Sequence, residues 1–220
     1  MTKTQRFKSF IVQNQIAPAE NLDAILSCID SNQEITFFSW KMFELGNLNF
    51  DTKSAKKYLS REKRFVSVLN KLGVKYKYIK LIPDELPKYF YAQKSPEAKL
   101  FSKQVTSFFS KNLTATKTIQ MTELLSSART QCPYSRIFNF VYRNFDKLVD
   151  NSEFEKEIVI RNSPEVAKRA FCLFAAESAV IYKFLKNPVL LAGRRSINTY
   201  KYEFYRYPKN RPVLPKLFVI

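Results

Sequence analysis

The chain has 220 residues, 45% of them hydrophobic and 25% charged, which suits one globular domain with a sizeable core and excludes general disorder. Its 37 Lys and Arg outweigh 19 Asp and Glu for a net charge of +18, a balance that attracts polyanions, nucleic acid first among them. There is no histidine and there are only three glycines, so Ser-His-Asp and Cys-His catalysis, histidine metal sites and Gly-rich phosphate loops are all excluded.

In chain order, Phe7 to Gln13 carries Phe10, Ile11 and Val12 and reads as a short strand. An amphipathic helix with Leu22, Ile25, Leu26 and Ile29 follows, and Asp30 to Gln33 breaks it. Ile35 to Trp40 (ITFFSW) is a buried strand. Asp51 to Leu72 is a helix with a start signal at Asp51-Thr52 and a stop at Gly73. Val74 to Ile82 (VKYKYIKLI) alternates lysine with apolar residues, the pattern of a strand with one wet face.

Helical patterns then cover Glu97–Asn112, Met121–Gln131, Tyr134–Val149 and Pro164–Lys186. Ile197 to Tyr207 (INTYKYEFYRY) returns to strand, and Val213 to Ile220 is a short terminal strand. Strands joined through helices predict a Rossmann-like α/β fold, a single domain over 1–220 with a mainly parallel sheet flanked by helices. Ligands of such sheets sit at the carboxyl ends of the strands. No apolar run reaches the ~20 residues of a membrane span, and the apolar stretch near the N-terminus is too short for a secretion signal. Cys28, Cys132 and Cys172 are odd in number and widely spaced, which fits buried thiols in a reducing cytoplasm rather than a metal or disulfide framework.

Wound at 100° per residue, Lys53, Lys56, Lys57, Arg64 and Lys71 fall on one side of their helix, flanked by Arg61 and Lys63. Ala55, Tyr58, Leu59, Phe65, Val66, Leu69 and Leu72 oppose them. The seven cations form a stripe about 27 Å long. A solvated face ordinarily mixes lysine with glutamate at i,i+4; this stripe contains no acid, and a phosphate backbone relieves such repulsion. The competing reading is general lysine enrichment. Glu62, the one acid of the helix, falls on the apolar side, as expected where a helix edge leaves the core.

The segment AFCLFAAESAVIYKFL (170–185) is apolar on all sides except for Glu177 and Lys183, so the helix is buried. A carboxylate there is either a structural ion pair or a site group. As a site group it suits an ammonium, or proton transfer to and from an amine.

The order of these segments resembles the cyclodipeptide synthases, Rossmann-like enzymes related to class I aminoacyl-tRNA synthetases that join two aminoacyl-tRNAs into a cyclic dipeptide. FIVQNQIAPAENLDAILSCI resembles the family's first strand, site loop and helix, with Asn14 where the family has an Asn. Lys53 to Lys71 resembles its tRNA-holding helix, and LFAAESAVIY its Tyr-x-x-x-Glu segment, in which Glu177 matches the Glu. Tyr200 in INTYKYEF resembles the family's later active-site Tyr, with Lys201 beside it. The family's nucleophilic serine falls at Ile11 and its first Tyr at Leu173, so the nearest hydroxyl is Ser9.

The resemblance implies ping-pong aminoacyl transfer with Glu177, Tyr200 and Ser9 as catalytic residues. It implies Asn14 and Lys201 at the substrate and Lys53, Lys56, Lys57, Arg61, Lys63, Arg64 and Lys71 on aminoacylated tRNA. It implies no cofactor, metal or membrane. The alternative is a non-catalytic RNA- or DNA-binding protein that uses the same basic helix.

Overall fold

The computed structural model describes residues 1–14, 21–40, 52–82, 95–113, 116–120, 123–124, 134–148, 154–155, 158–159, 162–191 and 216–217. Five parallel strands form one sheet in the order β3-β2-β1-β4-β5: β1 Ile35–Trp40, β2 Tyr76–Ile82, β3 Thr116–Gln120, β4 Pro188–Leu191 and β5 Lys216–Leu217. The helices are α1 Lys3–Gln13, α2 Leu22–Asp30, α3 Thr52–Lys71, α4 Ser95–Asn112, α5 Tyr134–Arg143, α6 Phe145–Leu148 and α7 Pro164–Phe184. The expected α/β architecture with a parallel sheet is the one observed.

The first element corrects the sequence reading: the segment expected as a strand from Phe7 to Gln13 is helix α1. Thr2 and Gln5 form a capping box, with Gln5 N–H on the Thr2 hydroxyl at 3.2 Å and Thr2 N–H on Gln5 Oε1 at 2.8 Å. Phe7 and Ile11, one helical turn apart, are both buried. This cap and this spacing override the local β-preference of Ile11-Val12.

Helix α3 ends as its sequence dictates. Gly73 adopts φ +61°, Val74 N–H reaches Leu69 C=O and Gly73 N–H reaches Asn70 C=O, the bonding of a Schellman termination. β1 and β2 pair in register from Ile35–Tyr76 to Trp40–Leu81. Phe37 packs edge-on to Phe65 of α3 at 5.1 Å, and Lys80 Nζ lies 4.6 Å from the Phe109 ring of α4. Both helices therefore cover the sheet face that carries Phe37, Ser39, Tyr78 and Lys80. Right-handed entry into β4, on the other side of β1, places α7 on the opposite face. There Phe171, Cys172 and Ala175 pack with Val141 and Phe145.

The wet face expected for β2 is also corrected. Lys77 is exposed and pairs with Glu34 at 2.9 Å, but residues 78–82 are buried without a break, because helices cover both faces. The helix expected over Tyr134–Val149 is broken at Asn144, whose side chain caps Phe140 C=O at 2.9 Å. β3 (TKTIQ) and β4 (PVLL) were not expected. The strand expected over Ile197–Tyr207 and most of the helix expected over Met121–Gln131 lie outside the described residues. Within the terminal strand expected over Val213–Ile220, Lys216–Leu217 is strand.

Candidate functional site

The carboxyl ends of β1 and β2 meet at a buried polar group that the sequence analysis did not assemble. Ser39 and Lys80 are register partners, so their side chains leave the sheet on the same side. The Lys80 ammonium donates to Ser39 Oγ at 2.6 Å and to Glu62 Oε1 of α3. The side chains of Lys80 and Glu62 are 3% and 2% exposed. Glu62 therefore sits at the centre of the helix face against the sheet, not at an edge where the helix leaves the core.

Burial draws the Lys80 ammonium below its ordinary value, while the Glu62 carboxylate works in the other direction. Burial, and next the same carboxylate, push the Tyr78 hydroxyl well above its ordinary range, and Ser39 opposes the shift. Among the described residues, neither the Tyr78 hydroxyl nor Glu62 Oε2 has a hydrogen-bond partner of good geometry. Lys80 Nζ thus bridges Ser39 Oγ and the Glu62 carboxylate. The cluster fastens α3 to the strand ends.

Turning Glu62 inward leaves the outer side of α3 with cations and neutral polar residues and no acid. Lys53, Lys56, Arg61, Lys63, Arg64 and Lys71 are exposed, and the sequence of the helix contains no other acid. Lys57 lies on the same helix, its side chain outside the described residues. Six of the seven cations of the expected stripe are therefore exposed.

Of the remaining predicted residues, Ser9 lies on α1 and Asn14 at its C-terminal end. Ser9 is a half-buried residue in the middle of α1, about 150° around the helix from the mean direction of Phe7, Phe10 and Ile11. It therefore points away from the sheet rather than standing at a strand end. Asn14 caps α1, its amide donating to Phe10 C=O at 2.8 Å. Glu177 belongs to α7, between buried Ala176 and buried Ile181, and its side chain is outside the described residues. Tyr200 and Lys201 are outside them as well, so the proximity of Glu177 to Tyr200 is an expectation of the sequence alone.

Cys172 is buried, and burial pushes its thiol up to about 12. Cys28 is half-buried and its thiol is raised by the same cause. Cys132 lies outside the described residues. Among the described residues no helix is long and apolar enough to cross a membrane.

Comparison with known proteins gives the fold a setting. No family model and no curated sequence matches the chain. Among solved structures, a tryptophanyl-tRNA synthetase homolog from Entamoeba histolytica superposes with a TM-score of 0.63 at 12% identity, over 99% of this chain and 58% of that one. Tyrosyl-tRNA synthetase from Archaeoglobus fulgidus gives 0.62 at 8% identity, over 93% and 60%. A CDPS from Fluoribacter dumoffii gives 0.45 at 13% identity, over 92% and 95%. The chain thus spans less than two thirds of the synthetases it superposes on, and it shares with them their Rossmann-like α/β fold.

Proposed function

We propose that the chain is a tRNA-dependent aminoacyl transferase that makes a cyclic dipeptide from two aminoacyl-tRNAs. The observation that carries the reading is the outer side of α3: its one acid is turned inward onto Lys80, so a ridge without any carboxylate faces outward on a fold shared with tRNA synthetases. The ridge grips the tRNA backbone through Lys53, Lys56, Lys57, Arg61, Lys63, Arg64 and Lys71. The segment order that resembles the cyclodipeptide synthases supplies the chemistry.

In that chemistry a hydroxyl oxygen attacks the aminoacyl ester carbonyl of the first tRNA, and the tRNA leaves with the proton on its terminal hydroxyl. The amine of the second aminoacyl-tRNA then attacks the new ester, which frees the protein hydroxyl and leaves a dipeptidyl-tRNA; the free amine of that dipeptide closes onto its own ester and releases the cyclic dipeptide and the second tRNA. Glu177 binds that amine and takes its proton, Tyr200 positions it, and Asn14 and Lys201 line the substrate. The aminoacyl ester is already activated, so the reaction requires neither ATP nor a metal. Ser9 is the hydroxyl the sequence offers.

The orientation of Ser9 favours a second reading, a non-catalytic nucleic-acid-binding protein with the same ridge. Mass spectrometry of the medium of a bacterium expressing the chain separates the two. A cyclic dipeptide present with the parent chain and lost with Glu177→Gln supports the synthase. No product in any of several hosts, with tRNA binding intact, selects the binding protein. Where product forms, Ser9→Ala leaves it unchanged if the outward side of α1 is no place for the acyl acceptor.

A further inference from the structure

Helix α1 runs antiparallel to α3 along the same sheet face. Two contacts fix the alignment: the rings of Phe10 and Phe65 lie 6.3 Å apart, and Lys3 Nζ donates to Gly73 C=O at 3.1 Å. The opposite flank of α1 meets α2, where the Thr4 hydroxyl donates to Asp30 Oδ1. These contacts orient the α1 helix completely. Arg6 lies on the Phe10 flank, toward α3, and Lys8 lies about 160° away from it, toward α2.

Arg6 is four residues, about 6 Å, from Phe10. On antiparallel α3 that is the level of Leu69, between Arg64 and Lys71. Arg6, Arg64 and Lys71 are exposed, and among the described residues none of the three meets a carboxylate. The sequence of α1 contains no acid at all.

We propose that the α1–α3 seam is a two-helix cradle for one occupant, the sugar–phosphate backbone of the tRNA acceptor stem, and that Arg6 is its second rail. This rests on the tRNA reading above and extends it to a helix that no sequence signal tied to nucleic acid. A duplex carries about one charge per 1.7 Å of its axis, so the ~27 Å ridge faces on the order of fifteen phosphates. That is more than the cations of α3 neutralise, and both strands of a stem present charge. A cation on the neighbouring helix, beside the row on α3, answers that geometry.

The test is tRNA binding by the full chain over a range of NaCl concentrations, with unacylated tRNA as probe. Arg6→Glu and Lys8→Glu change the net charge equally and differ only in flank; Arg6→Gln and far-ultraviolet circular dichroism control for folding. The expected result is that Arg6→Glu weakens binding about tenfold at low salt and reduces the slope of log K against log salt by about 1, that Arg6→Gln moves both the same way by less, and that Lys8→Glu changes neither. Equal losses from Arg6→Glu and Lys8→Glu would reduce the cradle to a net-charge effect and overturn the inference. An unchanged Arg6→Glu beside a weakened Lys56→Glu/Arg64→Glu also overturns it while leaving the tRNA reading standing. Unchanged binding in all of them removes both.

Discussion

Replacing Lys80 by Met keeps the length and the apolar stem of the side chain and removes only the ammonium. Among the described residues, Glu62 is then left 2% exposed with no cation, beside a Tyr78 hydroxyl that has no hydrogen-bond partner of good geometry. Breaking a buried pair from one side costs about 3–5 kcal/mol, because the remaining charge stays out of water without compensation. A domain has about 5–15 kcal/mol in total, so this one atom group decides roughly a fifth or more of the folded state's margin. For a chain of this size the loss corresponds to a fall in Tm of roughly 6–20 °C. Urea titration followed by circular dichroism measures it directly. The companion variant Glu62→Leu/Lys80→Met removes both charges and recovers most of the loss, since apolar replacement of a whole buried pair is often neutral or better. A Lys80→Met penalty below about 1 kcal/mol, or a double variant no more stable than the single one, would refute the account of α3 being fastened to the strand ends by this pair.

Two further outcomes test the packing. Phe65→Ala opens a cavity where Phe37 and Phe10 meet α3 and costs about 3–5 kcal/mol by chemical denaturation; a smaller loss means the α1–α3 seam closes over the gap. Cys172 has its thiol raised from 9.0 to about 12 by burial, so well below pH 9 it is protonated in folded and unfolded chains alike and its contribution to stability is constant. Between about 9 and 12 the unfolded chain releases this proton and the folded one keeps it, so stability falls as pH rises. Cys172→Ala flattens that part of the profile, and an unaltered slope contradicts a buried, protonated thiol.

The parts of the fold that local pattern specifies were readable. β1 announces itself by the aromatic and β-branched run ITFFSW, α3 by a 3.6-residue period with Gly73 at its end, and α7 by a long apolar helical pattern opening at Pro164. α1 departs from the strand that Ile11-Val12 favours locally because the capping box of Thr2 and Gln5 is the stronger sign. β3 and β4 escaped notice because TKTIQ and PVLL are short and take their conformation from the neighbours they pair with.

The Glu62–Lys80 pair was half visible: a lone acid on an apolar helix face and a lysine inside an apolar strand each pose a burial problem. Only the β1–β2 register and the seating of α3 show that each solves the other's. Ser9 failed as a strand-end hydroxyl for the same reason that α1 failed as a strand.

Strand order has a consequence for how the chain is made. β1 pairs with β2 on one side through residues that emerge soon after it, but its other side pairs with Pro188–Leu190, which lie far downstream. At bacterial to eukaryotic translation rates, the backbone of Thr36, Phe37 and Phe38 waits on the order of ten seconds for that partner. Throughout that interval an apolar ribbon offers unpaired amides to any passing strand. A nascent chain stalled before Asn187 is thus a template for aggregation. Where Asn187 does arrive, its side chain donates to Glu34 C=O at 2.9 Å and to Gln33 Oε1 at 3.2 Å, the latch that closes the open side.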